Sequence, residues 1–261
     1  MGTWHHVSIG GKPADWFEPT RPSPHRHTVL FLHGHGERTL SDNPVYTGLL
    51  EQHGLRCLCP HGRRSWWGDR VCHEFDPQVS PRRYLLDSVL PWLNEQVQAT
   101  PPAIALLGVS MGGQGALKLA YQQPALFPVV AALAPAIDFH QWVGKGYPLD
   151  DLYESPEEAR QETATVLIHP LNWPRHQWLG CDPGDSEWFE GVERLAGKLG
   201  STGIPFESDL ATRAGGHSWD YFNHQAPRVV EFLTTRLEQE RNRLPVSNPF
   251  APPASRPEPA E

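Results

Sequence analysis

An apolar run from Ala103 to Val109 leads straight into Gly108-Val109-Ser110-Met111-Gly112, and Met111 to Gln122 then continues with helical periodicity. Few arrangements of a chain satisfy that order. A serine with glycines two residues before and after it, between a buried strand and a helix, sits on a sharp turn that lifts its hydroxyl clear of the backbone. Side chains at the glycine positions would collide across the turn. The same turn aims the N–H groups at the start of the helix toward the serine, where they favour a developing negative charge. The alternative reading is a glycine-rich helix start with a capping serine.

The rest of the chain supplies the sheet that such a turn needs. Thr3 to Ile9 and the ADWFEP stretch flank Gly10-Gly11 and predict a hairpin. Short apolar runs at Thr28 to Leu32, Leu55 to Cys59, Ala103 to Val109 and Val129 to Leu133 read as buried strands, with helical patterns over Arg82 to Val97 and Met111 to Gln122 between them. Further on, the pattern predicts strands at His176 to Cys181 and Pro205 to Ala211, and helices at Trp188 to Leu199 and Ala226 to Glu240. Strands alternating with helices give an α/β protein with a mostly parallel central sheet and helices on both faces. Residues 1–243 are expected to form one domain. The stretch from Leu244 to Glu261, rich in Pro, Ala and Ser, has little to bury and is expected to be disordered.

A serine hydroxyl is a weak nucleophile and needs a base held by a carboxylate. After a turn of this kind the acid ordinarily comes next in the chain and the histidine last. Ala214-Gly215-Gly216-His217-Ser218 places a glycine-flanked histidine after the last expected strand, so His217 is the candidate base. His169, His176 and His224 also follow Ser110, but none has flanking glycines. The acid comes from Gly180-Cys181-Asp182-Pro183-Gly184-Asp185: Asp185 is the first choice, and Asp182, whose other role would be a turn before Pro183, is the alternative. The Met111 N–H, with that of His35 in the early loop His33-Gly34-His35-Gly36, would form the oxyanion hole. The spacing of His33 and His35 could instead serve a metal. A zinc site from Cys57, Cys59, His61, Cys72 and His73 is a further alternative, although a Cys-x-Cys pair inside an apolar strand reads better as core.

The loop after Cys59 concentrates Trp66, Trp67, Asp69 and Arg70 at the carboxyl end of the sheet, where substrates bind. Trp66, Trp67, Asp69 and Trp219 are the candidate pocket residues, with Asp69 and Arg70 pairing or gripping a polar group. An aromatic lid anchored in the core is the other reading of the two tryptophans. Lys and Arg number 22 against 30 Asp and Glu, with no basic run, which argues against nucleic acid as a partner. No apolar stretch is long enough for a membrane helix, and the first residues lack the pattern of a secretory signal, so a cytoplasmic protein with reduced cysteines is expected.

The stretches GVSMGGQGALKLAYQQPALFPVVAALAPAIDF and GGHSWDYF resemble the esterase D-like group of α/β-hydrolases, which holds S-formylglutathione hydrolases, antigen 85-type acyltransferases and feruloyl esterases. The resemblance spans most of residues 28 to 237. It implies an α/β-hydrolase fold, with Ser110 as nucleophile, His217 as base and the Asp185 or Asp182 loop as acid. It also implies hydrolysis of a small ester through an acyl-enzyme, with no cofactor or metal. The early loop, HGHGERT, and the acid segment, CDPGD, depart from the group's usual pattern. The insertion between Ile137 and Pro174, with Trp142, Tyr147, Tyr153 and Trp173, is expected to lie over the site. Acyl transfer, thioester hydrolysis and ligand binding without catalysis are the alternatives on the same residues.

Overall fold

The computed structural model describes residues 1–243, so the expected Pro-rich tail lies outside the described residues. Eight strands form one sheet in the order β1-β2-β4-β3-β5-β6-β7-β8. The hairpin β1 (Thr3–Ile9) and β2 (Lys12–Glu18) is antiparallel, and β2 joins β4 (Arg56–Pro60) antiparallel. From β4 onward every pairing is parallel: β3 (Thr28–Leu32), β5 (Ile104–Val109), β6 (Val129–Leu133), β7 (His176–Gly180) and β8 (Glu207–Asp209). Strands β3, β5 and β6 are buried along their whole length, as a parallel sheet covered on both faces requires. The strand expected over Pro205 to Ala211 is reduced to the three residues of β8, at the edge of the sheet.

The covering helices are α1 (Pro44–His53), α2 (Pro81–Tyr84), α3 (Leu90–Val97), α4 (Met111–Gln122), α8 (Phe189–Ser201) and α9 (Trp219–Arg241). Three differences from the sequence expectation have physical causes. The helix expected over Arg82 to Val97 passes through a π turn at Leu85–Val89, which lets Pro91 sit at the start of a fresh α segment where its missing N–H costs nothing. Helix α9 begins seven residues earlier than the pattern indicated, because the Ser218 hydroxyl accepts from the Tyr221 N–H and caps it. Helix α1 was not expected at all, although Asn43 caps it, Pro44 opens it and Gly54 closes it in the left-handed conformation.

Between β6 and β7 the chain makes a short 3₁₀ turn (Phe139–Trp142) and three short helices, α5 (Leu149–Leu152), α6 (Pro156–Arg160) and α7 (Ala164–Leu167). This insertion is fastened to α4, the helix that follows Ser110. Lys118 of α4, its side chain only 4% exposed, pairs with Glu162, which also accepts from the Tyr153 hydroxyl at 3.1 Å and from Arg70 at 2.9 Å. One helix therefore carries both the serine turn and the anchor of the insertion. A buried cation without Glu162 would be costly, so the pairing fixes where the insertion sits.

The loops after β3 and β4 are tied together through Asp15 of β2. This buried carboxylate accepts from His6 at 2.6 Å, from Thr39 at 2.6 Å and from His61 at 3.1 Å. Burial pushes its pKa up, but the three hydrogen bonds outweigh that and hold it at about 2, below the ordinary 3.8. A depressed carboxylate stabilises the fold above its unfolded-state pKa, and the contribution is lost as pH falls through the folded value. Asp15 is therefore expected to supply about 2 kcal/mol at neutral pH that disappears between pH 4 and pH 2. Urea unfolding of the protein and its Asp15→Asn variant across that range checks this: the variant is less stable at pH 7, and the gap closes toward pH 2.

Candidate active site

Strand β5 lies in the middle of the sheet, and its last residue delivers the chain to Ser110, whose backbone sits at φ 56° and ψ −122°. A non-glycine residue in that region is strained and persists only where its surroundings hold it. The surroundings here are two glycines. A Cβ on Gly108 would run into the Gly112 carbonyl, and one on Gly112 into the backbone of Leu32 and His33. The Ser110 side chain does not cap α4, so its hydroxyl is free to face outward.

It faces His217. Ser110 Oγ donates to His217 Nε2 at 2.9 Å, and His217 Nδ1 donates to Asp185 Oδ2 at 2.7 Å. Asp185 lies at the β7 end of the site with its side chain 1% exposed, whereas that of His217 is 29% exposed and reaches the solvent side. Burial, the largest influence, would raise the Asp185 pKa, but the His217 hydrogen bond and charge together with the Trp188 and Glu187 N–H groups outweigh it, and the carboxyl is held below its usual value. Cys181, expected only as a reduced thiol, donates a long 3.7 Å contact to the same carboxylate oxygen. Burial keeps that thiol protonated.

Asp182 is differently employed. Its carboxylate accepts from the N–H groups of Gly184, Ala214 and Gly216 at 2.6, 2.6 and 2.8 Å. Two of those donors belong to the loop that presents His217, so Asp182 sets the loop and Asp185 meets the ring. Gly215 and Gly216, both at positive φ, allow the turn that brings the imidazole forward.

The early loop lies opposite. Among the described residues, neither the His35 nor the Met111 N–H has a hydrogen-bond acceptor in the protein. Gly34 stands so close that a Cβ there would lie 3.2 Å from Ser110 Cβ. His33 is buried and organises this loop. Its Nδ1 donates to the Gly34 carbonyl at 2.8 Å and its Nε2 accepts from the Gly62 N–H at 2.9 Å, while burial lowers its pKa to about 4 and keeps the ring neutral. No group of three or more His, Cys, Asp or Glu side chains among the described residues is arranged to hold a metal, and all four cysteines are free and buried.

A cleft of about 260 Å³ opens over Ser110, lined by Gly34, His35, Gly36, Arg38, Val109, Trp142, Glu187, Trp188, His217, Ser218, Trp219 and Phe222. The sequence expectation needs correcting at three pocket residues. Trp66 and Trp67 are 3% and 2% exposed and do not line the cleft; Trp67 donates to the His33 carbonyl at 3.1 Å and Trp66 stacks on Phe139 at 5.1 Å. Both have positive φ, which folds the loop inward and makes them the core-anchored aromatics of the alternative reading. Asp69 accepts from Ser80 and pairs with Arg82, not with Arg70 or the cleft. Trp219 does line it, and the insertion contributes Trp142, stacked on Tyr147 at 4.3 Å, whereas Tyr153 and Trp173 stand back from it. Arg38, Trp188 and Phe222 carried no sequence signal for this position.

A family model described as "Putative esterase" matches residues 70–233, well over half the chain and the stretch that holds both Ser110 and His217. The chain belongs to this esterase family. It is accordingly an enzyme of the serine-esterase class, a group whose members act on esters by hydrolysis or acyl transfer. It is 25% identical over 231 residues to the diacylglycerol acyltransferase/mycolyltransferase Ag85A of Mycobacterium tuberculosis, covering 75% of this chain and 68% of that protein. An S-formylglutathione hydrolase from Agrobacterium tumefaciens superposes with TM-score 0.72 at 18% identity, over 90% of this chain and 94% of that one. FphF, a fluorophosphonate-binding serine hydrolase of Staphylococcus aureus, superposes with TM-score 0.72 at 15% identity, over 89% of this chain and 98% of that one. These likenesses establish the α/β-hydrolase fold expected from the sequence. No helix among the described residues is long and apolar enough to cross a membrane.

Proposed function

We propose that the protein is a serine carboxylic-ester hydrolase acting on a small ester, with Ser110 as nucleophile, His217 as general base and acid, and Asp185 as the carboxylate that orients the histidine. The observation that carries this reading is the unbroken hydrogen-bond chain from Asp185 through His217 to Ser110, ending in an open cleft. In the first step His217 Nε2 takes the Ser110 proton as Oγ bonds to the ester carbonyl carbon. The carbonyl electron pair moves onto its oxygen, where the Met111 and His35 N–H groups receive it. Collapse breaks the bond to the alcohol oxygen, which takes the proton from His217 and leaves. Water then repeats the sequence on the acyl-enzyme, giving the acid and free Ser110.

The reading calls for no cofactor. Residues 1–243 act as the catalytic domain, with a small-molecule ester as partner and neither nucleic acid nor membrane. The four unbonded thiols favour the cytoplasm as the compartment. Acyl transfer would use the same atoms with an alcohol in place of water, and the Ag85A likeness makes it the second reading.

A fluorophosphonate probe tests the nucleophile. One equivalent is expected to attach at Ser110, located by peptide mass, with parallel loss of 4-nitrophenyl acetate hydrolysis. No labelling and no turnover would leave a ligand-binding relative of the family instead. Adding a simple alcohol during turnover and finding mainly the new ester, not the acid, would move the assignment to acyl transfer.

A further inference from the structure

The cleft over Ser110 is walled mainly by aromatic and small residues, and among the described residues the ionisable side chains that line it besides His35 and His217 are Arg38 and Glu187. Arg38 is held by stacking, its guanidinium carbon 4.8 Å from the centre of the Trp219 ring. It forms no ion pair among the described residues, and its chain neighbour Glu37 is engaged by Arg63. In the loop after β4 and at the start of α2, by contrast, Arg63, Arg64, Arg70 and Arg82 each meet a carboxylate. In a chain with 30 acidic against 22 basic residues, a cation placed in the cleft without a carboxylate is a position open to a ligand.

The position also says which half of the ester it faces. The proton that His217 takes from Ser110 must be given to the departing oxygen, so the alcohol half lies against the wall built from His217 and the residues just after it. That wall is Ser218, Trp219 and Phe222, with Arg38 on Trp219. Among the described residues Glu187 pairs with neither Arg38 nor any other residue of this wall, and it also lines an adjoining cleft with Trp142, Lys145 and Trp188, of which Arg38 is not part. One guanidinium on the alcohol side, with a carboxylate elsewhere in the same cleft, matches a group of single negative charge better than a dianion.

Resting on the esterase reading above, we propose that the natural ester carries a carboxylate on its alcohol half, seated on Arg38 against Trp219. The interaction is exposed to solvent and therefore sensitive to salt.

Two acetate esters of nearly equal shape test it: 4-acetoxybenzoate, charged on the alcohol half, and 4-acetoxybenzamide, neutral. Each kcat/KM is divided by the hydroxide-catalysed rate to remove leaving-group reactivity. The corrected ratio is expected to favour the benzoate by about tenfold at low salt, the worth of one charge-assisted hydrogen bond, and to shrink in 1 M NaCl. In Arg38→Gln the ratio is expected to fall to about one, and Arg38→Lys to restore part of it, an effect that general loosening of the fold would not give. A ratio near one in the parent protein, or one unchanged in Arg38→Gln, overturns the proposal while hydrolysis of both esters leaves the esterase reading standing. No turnover of either ester or of 4-nitrophenyl acetate overturns both.

Discussion

Ser110→Ala is expected to lower kcat for 4-nitrophenyl esters on the order of 10⁶-fold, the loss typical when the nucleophile of such a triad is removed. Among the described residues the hydroxyl is the hydrogen-bond partner of His217 Nε2, and no second nucleophile bonds to that nitrogen. Stability should behave differently from activity. Alanine keeps the Cβ, and with it the strain of a residue at φ 56°, so the unfolding free energy should change by less than about 1 kcal/mol. Ser110→Gly removes that strain and is expected to be about 1 kcal/mol more stable than Ser110→Ala, although equally inactive. Steady-state kinetics with urea unfolding of the three proteins measures both. Retained activity in Ser110→Ala would dismiss the nucleophile, and a glycine variant no more stable than alanine would dismiss the stored strain.

How much of this was legible in the sequence depended on whether the decisive interaction was local. The turn at Ser110 was legible because its signal is local, an apolar strand, two glycines and a helix start, even though what a Cβ on Gly112 would strike, the backbone of Leu32 and His33, is far away in the chain. His217 was legible for the same reason, its freedom of approach being written in Gly215 and Gly216. The choice between Asp182 and Asp185 was not settled there, because both stand in one loop and what separates them is distant. The Asp182 oxygens are claimed in part by the Ala214 and Gly216 N–H groups, more than thirty residues away. Trp66 and Trp67 misled because composition places aromatics in a loop without saying which way they turn. Their direction is set by positive φ at both residues and by the space that Gly62 and Gly115 leave for the Trp67 ring. Helix α1 was missed despite local signals, since Asn43, Pro44 and Gly54 mark its ends even where its apolar periodicity is weak.

The two aspartates give the second large effect, and the contrast between them carries the argument. In Asp185→Asn, the Glu187 and Trp188 N–H groups, each 3.1 Å from Oδ1, hold the amide oxygen on their side and leave the NH₂ facing His217. Nδ1 must then accept instead of donate, the ring proton moves to Nε2, and the nitrogen facing Ser110 can no longer take its proton. A loss of about 10⁴-fold in kcat is expected, the magnitude known for an acid-to-amide change in a serine protease triad. Asp182→Asn acts on the loop and leaves the ring's tautomer alone. It gives up at least one of the three backbone hydrogen bonds that the carboxylate accepts, two of which come from the His217 loop, for a stability loss of about 1–3 kcal/mol. Its kcat should fall by far less, on the order of 10-fold, since a displaced base still carries the right proton. Urea unfolding and kcat for both variants decide the matter. If Asp182→Asn proves the inactive but stable protein, the roles assigned to the two carboxylates are reversed.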